Sequence, residues 1–197
     1  MTMRSLALFT HVLGMLALFV ALAVEWAAVE LLRTTDHARP SPFASSLLRK
    51  LPTFTAIAAA LILASGIELA VEFGFFRSPW VGVSFAAMVL MGGLGGAALR
   101  PLIRSLGSGG DATGAWRRHA SNSFLHLSLR ARIGVGLGIV YVMVTKPDLF
   151  ESTAIIAVGL LIGGAAGVAA TRTPALNVPA DQDRKAAARS MGGSRWF

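Results

Sequence analysis

The sequence predicts an all-α membrane protein: a bundle of about five transmembrane helices with its N-terminus outside and its C-terminus in the cytoplasm. Three observations predict it. The 197 residues are 54% hydrophobic and only 14% charged, with a mean hydropathy of +0.64, too apolar for a soluble domain around one core. The apolar residues fall in blocks long enough to cross a bilayer, for which roughly 20 residues rising about 1.5 Å each suffice. The basic residues alternate by segment: residues 33–50 hold four Lys or Arg, residues 100–132 six and the stretch after Thr171 five, while the other side holds only Arg4, Arg77 and Lys146. Fifteen against three is a strong positive-inside signal, and it closes on itself only for an odd number of spans.

The spans are expected at about 5–32, 52–76, 80–99, 125–145 and 152–171. The first is the block "LFTHVLGMLALFVALAVEWAAVELL". Its "ALA" at Ala21–Ala23 imitates a signal-cleavage site, but the apolar run continues to Leu32, which suits a retained span. The third is expected to close at Arg100 and Pro101. The fourth has a short clean core, Ile133 to Thr145, so it is expected to start near Leu125 with Arg130 and Arg132 snorkelling to the interface. The fifth follows "TKPDLFES" and forms a tight hairpin with the fourth. Strands of a β-barrel would alternate in polarity every second residue, and these blocks do not. Residues 1–175 thus form the bundle, and 176–197 a mobile basic cytoplasmic tail. The loop from Leu106 to Ser123 is polar, with a short interfacial helix expected around Trp116.

Composition also excludes functions. There is no cysteine, hence no disulfide, thiolate metal site or Cys nucleophile. Arg outnumbers Lys 15 to 3, and that bias with the richness in Ala and Gly suggests a GC-rich bacterial genome and its cytoplasmic (inner) membrane. The net charge of +8 is explained by topology, and no aromatic residues interleave the basic ones, so nucleic acid is not an expected partner. "GGLGG" at Gly92–Gly96 lies inside a span with no strand before it and no Lys-Ser or Lys-Thr after it, so it is not a phosphate loop. No hydrolase triad or zinc-helix motif is present, and soluble-type catalysis is not expected.

Polar residues inside the spans are the candidate site. His11 lies about 7 to 8 Å from the outer end of the first span and Glu25 about 21 Å further in, on the same helix face but too far apart to share a ligand. Glu30 reads as an ordinary end-of-helix carboxylate. Glu68 and Glu72 lie in the outer part of the second span, and Tyr141 at a similar depth in the fourth. His11, Glu68 and Tyr141, with Glu72 just above, are therefore expected to meet as one cluster. It serves either as a hydrogen-bonded pin between helices, or as a metal site through His11 and Glu68, a haem site through His11, or a proton relay. Glu25 is expected to pair with Arg100 or Arg132, because the inner interface is crowded with Arg. Glycines at four-residue spacing (Gly92 and Gly96; Gly134 and Gly138; Gly159, Gly163 and Gly167) are expected to pack helices closely within the chain, with a homo-oligomer interface or a glycine-lined crevice as the alternatives.

The segments "THVLGMLALFVALAVEW", "ASGIELAVEFGFFRSPWVGVSFAAMVLMGGLGGAALRPLIRSL" and "SLRARIGVGLGIVYVMVTKPDL" resemble a bacterial family of predicted integral membrane proteins of unknown function. The resemblance runs in order over most of the first 150 residues, with His11, Gly66, Pro79, Trp80, Lys146 and Pro147 as fixed points. The first helix distantly resembles copper-resistance-D-like and haem-associated membrane proteins. That likeness implies a role for His11 alone, as a haem or copper ligand or a redox residue. Three classes of function follow: a non-catalytic membrane subunit or assembly partner, a haem- or metal-binding redox protein, and a proton-coupled permease using Glu25 and Glu68. Five spans with no inverted repeat argue against the last.

Overall fold

The structure is a computed structural model that describes residues 2–34, 41–107 and 115–172. Its elements are six helices: α1 (Met3–Thr34), α2 (Pro42–Glu72), α3 (Pro79–Gly107), α4 (Ala115–Ala120), α5 (Ser123–Thr145) and α6 (Leu149–Arg172). There is no strand among the described residues. All but α4 are long and apolar enough to cross a membrane, so the chain is a multi-pass membrane protein. The tail after Arg172 lies outside the described residues.

Two helices outrun the expected spans through prolines. Pro52 and Pro101 lie inside α2 and α3 instead of at their ends. Each removes one backbone donor, yet the turns beyond it remain helical because they are buried: Ala44, Leu48 and Leu51 before Pro52, and Leu102 and Ser105 after Pro101. These turns join Val29, Leu32, Leu99 and Leu125 in one of two apolar cores. Trp116 of α4 is fully buried in the same core. The short helix expected around Trp116 is thus present as α4, and it plugs this end of the bundle. The second core, around Leu22, Ile62, Met91, Leu129 and Val135, fills the middle.

Tight turns close the opposite end. Gly74 has φ of +72°, the left-handed conformation glycine adopts freely, and Phe75 N–H donates back to the Ala70 carbonyl to terminate α2. Lys146, also left-handed, caps α5, and only residues 146–148 separate it from α6. This is the turn end; the other, bearing Arg33, Arg49, Lys50, Arg100 and Arg104, is the basic end.

The helices pair unevenly. α1 lies along α2, and α5 lies along α6 and α3, whereas α2 and α3 touch sparsely. The gap between α2 and α3 holds two cavities, with Met88 in the wall of both.

Candidate functional site

Four polar side chains inside the spans, Glu25, Arg132, Ser128 and His11, are tied to neighbouring helices. Glu25, on the face of α1 that carries Val29 and Leu32, meets the Arg132 guanidinium through Oε1 and Nη2, and both side chains are at most 5% exposed. Glu25 is nine residues from the end of α1 and Arg132 nine from the start of α5, so the pair lies about 13 Å inside the basic end. The expected snorkelling of Arg132 is therefore corrected. At this depth a buried carboxylate offers the guanidinium more than the distant interface does, and α1 supplies one at the matching level. Arg132 crosses the α3 backbone at Gly95, where a Cβ would stand 2.6 Å from Nη1. Its Nε–H has no partner among the described residues. Ser128, one turn earlier, donates to the Leu94 carbonyl at 3.0 Å, so α5 is bonded to both α1 and α3.

The pair faces the cavity nearer the basic end, of about 290 Å³, whose wall also includes Thr55, Gly92, Gly96 and Arg100. Arg100 remains exposed. Gly92 has nothing within 4 Å of a built Cβ, and Gly96 only the Arg100 side chain at 3.9 Å. The third-span glycines thus open onto a cavity instead of seating a helix, contrary to the expectation of close packing there. The later glycines do seat one. A Cβ on Gly134 or Gly159 would strike the other's carbonyl, one on Gly163 would strike the Arg130 carbonyl, one on Gly167 would reach Leu127 Cα at 2.8 Å, and one on Gly138 would reach Ile156 at 3.2 Å.

His11 is buried against α2. Its Nδ1 lies 3.1 Å from the Ile62 carbonyl and 3.2 Å from Ser65 Oγ. A carbonyl only accepts, so Nδ1–H donates. In the neutral ring this leaves Nε2 with its lone pair and no hydrogen bond among the described residues. Gly66 makes the fit possible: a Cβ there would stand 3.1 Å from the imidazole.

The remaining members of the expected cluster stand elsewhere. Glu68 is two residues past Gly66, about 200° round the helix, and is exposed. Tyr141 is 57% exposed, and Glu72 bonds Arg4 at 3.0 Å at the turn end. The cluster of His11, Glu68, Glu72 and Tyr141 does not assemble, because equal depth places residues on one level without turning them to one side. Glu30 pairs with Arg33 at 3.2 Å, as an end-of-helix carboxylate. No group of three or more His, Asp or Glu able to hold a metal occurs among the described residues.

The second cavity, about 270 Å³, lies beside His11. By the yardstick of a roughly 150 Å³ cavity that takes one benzene, it is too small to enclose the four pyrrole rings of a porphyrin. The surroundings of His11 thus fit neither haem nor a copper site of several side chains. The cavity lined by Gly92 and Gly96 matches the glycine-lined crevice held as an alternative, while sequence reasoning missed the cavity beside His11 and the roles of Gly66 and Gly95; the His11–Gly66 fit needs α1 and α2 in register, which one chain segment does not encode.

Comparison with protein-family models, with curated proteins and with solved structures finds no match.

Proposed function

We propose that the chain is a small non-catalytic subunit or assembly partner in a bacterial cytoplasmic membrane, with its N-terminus outside and its basic end in the cytoplasm. One observation carries this reading: the deepest polar contacts each fasten one span to another. Glu25–Arg132 joins α1 to α5, His11–Ile62 joins α1 to α2, and Ser128–Leu94 joins α5 to α3. A pump or redox centre needs such groups free to change partners, and here they hold the bundle. Much apolar surface remains for lipid or for other subunits: only 17% of the apolar window of α6 is buried.

The test is an absorption spectrum with metal analysis of the purified protein, beside His11→Ala. A colourless, metal-free protein is expected, and a variant less stable by about 1 to 2 kcal/mol, the worth of an interhelical hydrogen bond plus lost packing. A Soret band or stoichiometric metal that vanishes in His11→Ala overturns the reading.

The orientation is tested separately. The cysteine-free sequence allows Ser78→Cys and Ser121→Cys to be labelled in intact cells and in inverted vesicles. Ser78→Cys, in the turn between α2 and α3, is expected to react from outside and Ser121→Cys from inside; the reverse pattern inverts the topology.

A further inference from the structure

We propose that the cavity beside His11 is a binding site for a lipid-soluble hydroxylated aromatic ring of the quinol type. The ring would lie inside and its apolar tail would leave through the gap between α2 and α3. The inference is independent of the subunit role above.

Four observations lead there. The volume, about 270 Å³, exceeds the roughly 150 Å³ that takes benzene by room for ring substituents. The wall is apolar and aromatic: Phe73, Phe75, Phe76, Trp80 and Phe85 all line it. Its roof is also preorganised. Phe73 and Phe75 stack at 6.1 Å and Phe75 tilts onto Trp80 at 5.7 Å, while Arg4 and Lys146 each stand 4.5 Å over one of the two phenylalanine rings. Cations held over ring faces keep both rings in place, so little order remains to be imposed when a flat ligand enters.

The wall carries unmatched polarity as well. Ser84 Oγ is buried, at 5% residue exposure, and makes no hydrogen bond among the described residues; such a group is costly in an apolar wall. His11 contributes the unbonded Nε2 lone pair. Ser84 and His11 both line this cavity, five residues into α3 and eight into α1, about 8 and 12 Å from the turn end. A ligand hydroxyl answers both, donating its one hydrogen to Nε2 while accepting from the Ser84 hydroxyl. A quinone carbonyl satisfies only the serine, and a plain hydrocarbon neither.

The experiment is thermal unfolding of the purified full chain in detergent, titrated with decylubiquinol, decylubiquinone or decylbenzene. With no cysteine in the chain, reductant keeps the quinol reduced without touching the protein. A saturable rise in Tm with decylubiquinol is expected by mass action, with weaker binding of the quinone and no saturable rise with decylbenzene. Ser84→Ala removes an unpaired hydroxyl and should fold normally; it is expected to weaken quinol binding about five- to tenfold, the worth of one hydrogen bond. Ser84→Phe, which fills the cavity, should abolish binding. No saturable rise with the quinol, an equal rise with decylbenzene, or Ser84→Ala binding as tightly as the parent each overturns the proposal.

Discussion

Glu25→Ala is expected to destabilise the bundle by about 3 to 5 kcal/mol, and Arg132→Ala by a similar amount. Each change strands a buried charge, since both side chains are at most 5% exposed and the Arg132 Nε–H has no partner among the described residues. Glu25→Ala should be the worse of the two, because the stranded guanidinium remains pressed against Gly95 with no carboxylate to answer it. Replacing both, as Glu25→Leu with Arg132→Met, should recover most of the loss, since a buried pair and an apolar filling of similar volume are close in free energy. The check is a double-mutant cycle on unfolding in mixed micelles. Single substitutions that each cost less than about 1 kcal/mol, the range of solvated ion pairs, would show that water reaches the pair.

Glycine substitutions should divide sharply by helix. Gly134→Ala and Gly163→Ala are each expected to cost about 2 to 3 kcal/mol, the usual penalty for overpacking, because the new methyl group would strike backbone carbonyls of the facing helix. Backbone cannot swing aside as a side chain can, so α5 and α6 must separate. Gly92→Ala should be neutral or stabilising by up to about 1 kcal/mol, since its methyl group enters open space and alanine is the better helix former. Denaturation midpoints of the three variants decide the matter. Equal losses at Gly92 and Gly134 would mean that a further surface packs on α3. In sequence these glycines are indistinguishable: Gly92 and Gly96 share the spacing of Gly159 and Gly163, and only a facing helix separates a seat from an opening.

Particular residues show how far the sequence reaches. The expectation that Glu25 pairs with Arg100 or Arg132 needed only depth and charge, because an acid that far inside has few possible partners and the basic residues crowd one end. Choosing between the two arginines needed the turn of each helix: Arg132 faces α1, while Arg100 is exposed beside the cavity. The cluster proposed around His11 fails for the same reason. Glu68 lies four residues from the end of α2 at Glu72, about 6 Å, shallower than a span reaching Phe76 implies, and nothing in the sequence constrained its azimuth. The true neighbours, Ile62, Ser65 and Gly66, carry no ionisable group to draw attention.

The sequence alone determined that five apolar helices cross a membrane, roughly where each lies, and that the basic residues gather at one end. Those are sums over local segments: hydropathy and charge add residue by residue, and roughly 20 apolar residues settle a span whatever its neighbours do. Tertiary structure decided that α2 and α4 extend the core past Pro52 and around Trp116, that α2 and α3 part to leave two cavities, and which polar groups meet. Each residue turns a helix by about 100°, so partner choice rests on the phase of one helix against another. That phase is set by packing between distant segments, such as the fit of His11 over Gly66 and of Gly134 against Gly159.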